Sequence, residues 1–218
     1  MASDAPKRGR PAGLGNGVDI VRVCMPACAA QFWRGAVINI LGFDSGLASF
    51  GWCQATLSSD GVLTFLGVGV WKTAPNPEAF ARKADDVSAR CRWIYKNLRG
   101  LAHEHRPNVI TVESLAFPQG RVQWSVISGL GRARALVDAL ATEVDADLFE
   151  RMPQELKRST TGSVSGTKDQ VRASLEDRYP ELRSLWPTQK TLLEHAGDAC
   201  ASVHASLHLI RNRRDPWT

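Results

Sequence analysis

The sequence lacks a hydrophobic segment long enough to cross a membrane, since no apolar run approaches about 18 residues. The given N-terminus also shows no secretory pattern, because Lys7, Arg8 and Arg10 are followed by proline and glycine instead of an apolar stretch. We therefore expect a cytoplasmic protein that has no membrane partner.

Cysteines are few, odd in number and scattered, at Cys24, Cys28, Cys53, Cys91 and Cys200. Such a set does not suit a disulfide framework. Cys24 and Cys28 are four positions apart, but no second His or Cys pair follows at the spacing of a zinc finger. We expect reduced cysteines that serve as small apolar side chains.

Acidic residues are the minority among the charged ones, with 22 Asp and Glu against 27 Lys and Arg, a formal net charge of +5. This excess permits a polyanionic partner such as nucleic acid but does not demand one. The length of 218 residues suits one compact domain with an appendage.

Residues 1–35 keep no helical or strand periodicity, and glycine and proline cluster within positions 9–17. We expect a disordered or loosely attached extension there, and Met25 is an internal candidate start. Ordered patterns begin near residue 36. They predict one folded domain over residues 36–212, followed by a short tail over residues 213–218.

Apolar runs separated by turn residues predict three strands at residues 37–43, 50–57 and 62–71. Their short connections favour an antiparallel meander. Two further strands are expected at residues 108–113 and 146–149.

Apolar positions three or four residues apart predict a long helix over residues 78–105 and a second over residues 122–143. A short helix begins at Pro153, and others span residues 167–178 and 195–211. The order of elements predicts an α/β fold. Its five-stranded mixed sheet has three antiparallel strands followed by two parallel ones, with helices on both faces.

Three carboxylates end up at positions that this fold can bring together. Asp44 ends the first strand, Glu113 ends the fourth, and Asp198 follows His195 by three residues on the last helix. Clustered carboxylates repel one another, and a divalent cation removes that penalty. Hard oxygen ligands favour Mg²⁺, or Mn²⁺ in its place, and two such ions can support phosphodiester cleavage.

Each of these residues also has an ordinary structural interpretation. Asp44 can be a turn or cap residue, and Glu113 can belong to a loop or strand edge. Asp198 can favour the N-terminal end of a helix through the helix dipole, and His195 can be a capping or surface residue. Spacing alone does not decide between these interpretations and a metal site.

Five sequence blocks resemble the conserved motifs of the RuvC family of Holliday junction resolvases. They are GFDSGLASFGW at 42–52, VESLAF at 112–117, LGRAR at 130–134, PQELK with TG and KDQV between 153 and 171, and HAGDACA at 195–201. Ala135 stands where the family often has glycine, Pro118, Gln119 and Gly120 alter one loop, and residues 1–35 have no counterpart. Such divergence is typical of a phage or prophage member.

The resemblance implies an RNase H-like nuclease that, as a homodimer, binds four-way DNA junctions and nicks two strands symmetrically in recombination, repair or phage DNA processing. It would act in the cytoplasm of a bacterial cell or a phage-infected host. By motif position Asp44, Glu113, His195 and Asp198 would be catalytic residues and would hold two Mg²⁺ ions, which Mn²⁺ can replace. The same motifs imply that two lysines are catalytic and contact DNA phosphates: Lys157 and Lys168.

Other side chains could contact DNA around this site. Phe117 and Trp124 could stack on unpaired bases, although core packing is the alternative for both. Phosphate contacts are also possible for several arginines on the second helix, beside it and at the C-terminus: Arg121, Arg132, Arg134, Arg211, Arg213 and Arg214. Because Arg132 and Arg134 are two positions apart, they point to different faces, and one of them is expected to serve the dimer or solvent.

Two other functions remain open at the level of sequence. An actin-like ATPase also places an Asp-x-Gly after its first strand, but this chain has no second such repeat and is short for two domains of that kind. A catalytically inert junction-binding protein on the same fold is the other alternative. Nucleotide binding would identify the first, and junction binding without nicking would identify the second.

Overall fold

The protein was analysed as a computed structural model that describes residues 37–115 and 126–212 in full and the backbone of residues 124 and 125. Strands and helices follow in the predicted order, with one extra short helix, α5. Their bounds are β1 (Ile38–Ser45), β2 (Ser49–Leu57), β3 (Leu63–Lys72), α1 (Lys83–His105), β4 (Val109–Glu113), α2 (Trp124–Glu143), β5 (Asp147–Arg151), α3 (Pro153–Thr161), α4 (Lys168–Arg178), α5 (Leu182–Leu185) and α6 (Lys190–Arg211).

The five strands form one mixed sheet in the order β3-β2-β1-β4-β5. β1 pairs antiparallel with β2 and parallel with β4, and β5 continues in parallel on the far side of β4. The predicted α/β fold is therefore confirmed. The fold places β1 and β4 next to each other at the centre, so that both strands end at the same edge of the sheet.

Two predicted helix starts are wrong. α1 begins at Lys83 and not at residue 78, because the preceding segment folds into turns whose Asn76 amide donates to the buried Asp86 carboxylate at 2.9 Å. α6 begins at Lys190, five residues before the predicted start. Asp198 consequently lies more than two turns inside this helix.

Each face of the sheet is covered by a separate apolar core. On one face Leu41, Phe43 and Ile110 pack with residues of α1 and α2. On the other, Ile40 and Val109 pack with α3, α4 and α6. This alternation along β1 and β4 follows from the two-residue period of a strand, and it directs every second side chain towards α6.

The helix α6 lies very close to the sheet because two strand glycines leave room for its backbone. A Cβ atom on Gly42 would lie 2.5 Å from the Ala199 carbonyl oxygen, and one on Gly51 would lie 2.2 Å from the His195 carbonyl oxygen. The central part of α6 is correspondingly rich in small buried side chains: Ala196, Gly197, Ala199, Ala201, Ser202, Ala205 and Ser206.

Among the described residues, Cys53, Cys91 and Cys200 are free thiols. No helix among the described residues is both long and apolar enough to span a bilayer. The expectations for the extension at residues 1–35, for Cys24 and Cys28, and for the tail at residues 213–218 lie outside the described residues.

Replacing Gly51 with alanine tests the close approach of α6. Because the added methyl group would meet backbone and not a flexible side chain, we expect the free energy of unfolding to fall by about 1–3 kcal/mol. Gly100→Ala is the matched control, since nothing lies within 4 Å of its Cβ position in α1, and it should stabilise by about 0.5–1 kcal/mol. Urea unfolding measures both, and equal effects would contradict the proposed packing.

Candidate metal centre

Asp44 and Glu113 emerge side by side from the central pair of strands. β1 and β4 are parallel, and their register pairs Phe43 with Val112, so the next residue of each strand is a carboxylate. Both carboxylates belong to the set of alternate residues that faces α6, because Phe43 and Val112 are buried in the opposite core. The predicted convergence of the two strand ends is therefore present.

Asp198 completes the cluster from α6. One carboxylate oxygen from each of Asp44, Glu113 and Asp198 can be chosen so that all three lie within 4.8 Å of one another. Asp198 is only 9% exposed, and its place inside the helix rules out the interpretation that it serves the dipole at the helix N-terminus. A sheet edge and a helix that approaches it closely thus bring three distant acidic residues together.

The electrostatics of this cluster fit a divalent cation. Without one, burial, followed by the charges of Asp198 and Asp44, raises the pKa of Glu113 to about 8. Burial also raises the pKa of Asp198, against the opposing attraction of Lys168. A bound dication offsets the repulsion between closely spaced carboxylates and the cost of removing them from water. Ligands that are all oxygen atoms suit a hard ion.

His195 lies beside the cluster and contacts Asp44. Its Nδ1 is 2.6 Å from Asp44 Oδ2, and this hydrogen bond raises the pKa of His195, an effect that burial opposes and that the charges of Asp44 and Asp198 reinforce. The three convergent ligand atoms are oxygens of the Asp44, Glu113 and Asp198 carboxylates. Through its hydrogen bond to Asp44, the imidazole can orient one of these candidate ligands.

Lys168 brings a positive charge to the opposite side of the cluster. It is the first residue of α4, and its ammonium donates a hydrogen bond to the Asp198 carboxylate. Burial alone would lower the pKa of Lys168, but the attraction and hydrogen bond of Asp198 outweigh it, and the pKa is raised. The structure thus brings Lys168 into contact with one of the three acidic residues.

Lys157 is half-buried on α3. In the described part of the chain, the lysine that forms an ion pair with the acidic cluster is Lys168, through Asp198. Of the two predicted lysines, Lys168 is therefore the one seen in contact with a carboxylate of the cluster.

The two arginines of α2 have different surroundings. Arg134 is 9% exposed, and its guanidinium pairs with Asp138 at 2.6 Å and with Glu150 at 3.1 Å. These two carboxylates occupy both Nη groups of the Arg134 guanidinium, which a DNA phosphate would otherwise contact. Arg132 is exposed, and its Nη1 lies 3.4 Å from the Ser88 hydroxyl, so it remains accessible to a phosphate.

The remaining predicted DNA contacts are only partly described. Arg211 is the last residue of α6, and its guanidinium donates to the Gly61 carbonyl at 2.6 Å. The side chain of Trp124 lies outside the described residues, as do Phe117, Arg121, Arg213 and Arg214.

Two positioning features were missed at the level of sequence. Gly51 admits the His195 carbonyl at very short range, and the Thr111 and Ser202 hydroxyls form a buried hydrogen bond of 2.8 Å between β4 and α6. A glycine in a strand interior is a signal of close backbone approach and could have indicated the first. The second joins residues 91 positions apart, and no local pattern reports such a contact.

Comparisons with known proteins identify relatives of this chain. A family model described as crossover junction endodeoxyribonuclease RuvC matches residues 40–201. A protein of that name from Rickettsia bellii is 30% identical over 132 residues, which are 61% of this chain and 76% of the relative. Another from Natranaerobius thermophilus is 27% identical over 177 residues, or 80% of this chain and 98% of the relative.

A solved structure of Thermus thermophilus RuvC with a Holliday junction substrate has the same fold. It is 20% identical, with a TM-score of 0.65, over 80% of this chain and 96% of that one. The residues from the first to the last carboxylate of the cluster lie inside the region that the family model matches.

Glu113→Gln should flatten the pH dependence of stability in the presence of a chelator. The folded protein binds the Glu113 proton with a pKa of about 8, above its ordinary value of 4.5. The resulting stabilisation is complete below the lower value and is lost as pH rises through the higher one. Between about pH 5 and about pH 9 the unmodified protein should lose on the order of 2 kcal/mol more than the variant.

Urea unfolding at several pH values measures this difference, and Glu104→Gln on the exposed side of α1 is the control. Parallel curves for the unmodified protein and Glu113→Gln would contradict the raised pKa of Glu113 that burial and the neighbouring carboxylates produce.

Proposed function

The chain belongs to the RuvC family, and we propose that it is a metal-dependent endonuclease that resolves Holliday junctions. The observation that carries this proposal is the convergence of Asp44, Glu113 and Asp198 at one edge of the sheet. The domain that performs this function would span residues 36–212, with residues 1–35 and 213–218 as appendages.

In the proposed reaction the three carboxylates hold two divalent cations, Mg²⁺ or Mn²⁺ in its place. When bound, such ions lower the pKa of a water molecule and stabilise the leaving oxygen in phosphodiester hydrolysis. His195 holds the Asp44 carboxylate in place through its hydrogen bond, and it stays a proposed catalytic residue and metal ligand beside the three carboxylates. Burial of Glu113 and Asp198 limits competing water and strengthens their attraction for a cation.

The DNA strand would meet basic groups around this centre. Lys168 is close enough to the cluster to stabilise negative charge that develops on the scissile phosphate. Lys157 and the exposed Arg132 are proposed as contacts to phosphates farther from the cleavage point. Phe117 and Arg121 remain proposed DNA contacts from the part of the sequence between β4 and α2, whereas Arg134 is better explained by its two carboxylate partners.

Symmetric resolution of a junction requires two active sites. We propose a homodimer, because a twofold-symmetric assembly presents identical sites to two strands of a four-way junction. The enzyme would work in recombination, repair or phage DNA processing, in the cytoplasm of a bacterial cell or a phage-infected host, where these DNA molecules occur.

The alternatives have less support. The family match over residues 40–201 favours a nuclease over an actin-like ATPase. Retention of all three carboxylates, with His195 and Lys168 beside them, favours an active enzyme over an inert junction-binding protein.

Asp44→Asn tests the catalytic assignment. Substitutions around metal ligands typically cost 10–100-fold in activity, and loss of a ligand itself should reduce nicking by more than about 100-fold. The assay follows cleavage of a synthetic four-way junction with Mg²⁺, beside linear duplex and RNA–DNA hybrid. Asp177→Asn, at an exposed position of α4, is the matched control, and equal nicking by both variants would place the site elsewhere.

Paired incision can be tested on a supercoiled plasmid that extrudes a cruciform. A dimer with two coordinated sites should convert the plasmid mainly to linear product within one binding event, because the second nick follows before dissociation. Agarose electrophoresis separates linear from nicked circular DNA. Accumulation of nicked circles without linear product at early times would exclude coordinated resolution by a dimer.

A further inference from the structure

Lys168 is the ammonium group that contacts the acidic cluster in the described part of the chain. It donates to the Asp198 carboxylate, and the charges of Glu113 and Asp44 also attract it. The Asp198 side chain is only 12% exposed, whereas that of Lys168 is 45% exposed. A carboxylate so buried needs a cationic partner, but the lysine does not need the carboxylate to remain charged.

The backbone of Lys168 is held at a capped helix start, whereas its long side chain is 45% exposed. Thr167 and Gln170 form a reciprocal capping box at the start of α4, with hydrogen bonds of 3.2 and 2.8 Å. The ammonium is therefore carried on a flexible four-carbon stem that extends from a rigid base.

A cleft beside this contact gives the side chain room to move. The cleft has a volume of about 340 Å³ and lies between the first turns of α4 and the N-terminal half of α6. Lys168 and Asp198 both line it, together with Arg172 and Lys190. Asp169 and Glu194 also line the cleft, so an ammonium released from Asp198 would turn into a space that contains two further carboxylates.

We propose that Lys168 is a built-in counter-ion of the metal-free centre, which competes with divalent cations for Asp198 and is released towards DNA when they bind. This inference rests on the proposed function, because it assumes that the carboxylate cluster holds the ions used in cleavage.

The competition follows from the charges involved. The ammonium and a dication attract the same carboxylate and repel each other at short range. By linkage, the cation weakens the contact between Lys168 and Asp198 by the same factor by which Lys168 weakens cation binding. Once released, the ammonium becomes available to a DNA phosphate at the time when the centre is loaded for cleavage.

Lys168→Met tests the competition through metal affinity, without reference to cleavage. At one fixed pH, Mn²⁺ should bind the variant on the order of tenfold more tightly than the unmodified protein, the equivalent of one charge-assisted hydrogen bond. Lys190→Met is the matched control, because Lys190 lines the same cleft but is not the partner of Asp198. It should change the affinity less than about twofold.

Isothermal titration or Mn²⁺ electron paramagnetic resonance measures these affinities. Equal or weaker binding by Lys168→Met would overturn the inference while leaving the proposed function intact. Failure of the unmodified protein to bind Mn²⁺ at all would overturn both.

A second measurement needs no variant. Acylation of lysines by a water-soluble ester, read by mass spectrometry, reports which ammonium groups are available. Addition of Mn²⁺ should increase labelling of Lys168 severalfold relative to Lys190. Unchanged or reduced labelling of Lys168 at saturating Mn²⁺ would contradict its release.

Discussion

The crowding of three carboxylates, one buried and two half-buried, is the constraint on which this structure depends. One oxygen of each of Asp44, Glu113 and Asp198 lies within 4.8 Å of the others, and burial together with the neighbouring charges raises the pKa of Glu113 to about 8 when no cation is present. The fold provides partial compensation from two directions, with His195 on Asp44 and Lys168 on Asp198. A divalent cation would supply the remaining positive charge. The repulsion that is unfavourable in the metal-free protein therefore favours metal binding.

The close seating of α6 on the sheet makes this arrangement possible. Gly42 and Gly51 remove the side chains that would hold the helix away, and the small residues of α6 complete the contact. Above that contact the helix presents His195 and Asp198 at the level of the strand ends. The packing that stabilises one core therefore also sets the distance between the ligand atoms.

Much of this arrangement could be predicted from local patterns. Asp44 and Glu113 follow apolar strands, and adjacent parallel strands end at one sheet edge, so their proximity follows from the element order. The start of α6 could not be predicted in this way. Gln189 makes no side-chain cap, and the first turn contains no acidic residue, so the usual signals of a helix N-terminus are absent.

The environment of single charged residues was also beyond local patterns. Periodicity indicates that Arg132 and Arg134 face different ways, but it does not tell which of them pairs with carboxylates. Arg134 does so, and one of its two partners, Glu150, lies on β5 and is not a neighbour in the helix. Likewise, Lys168 and Asp198 are separated by 30 residues, and only the packing of α4 near α6 brings them together.

The most direct test of the central claim is the location of a bound cation. Crystals soaked in Mn²⁺ and measured for anomalous scattering should show density among the carboxylates of Asp44, Glu113 and Asp198, with metal–oxygen distances of about 2.0–2.3 Å. Density that avoids this cluster, or none at saturating Mn²⁺, would contradict the account.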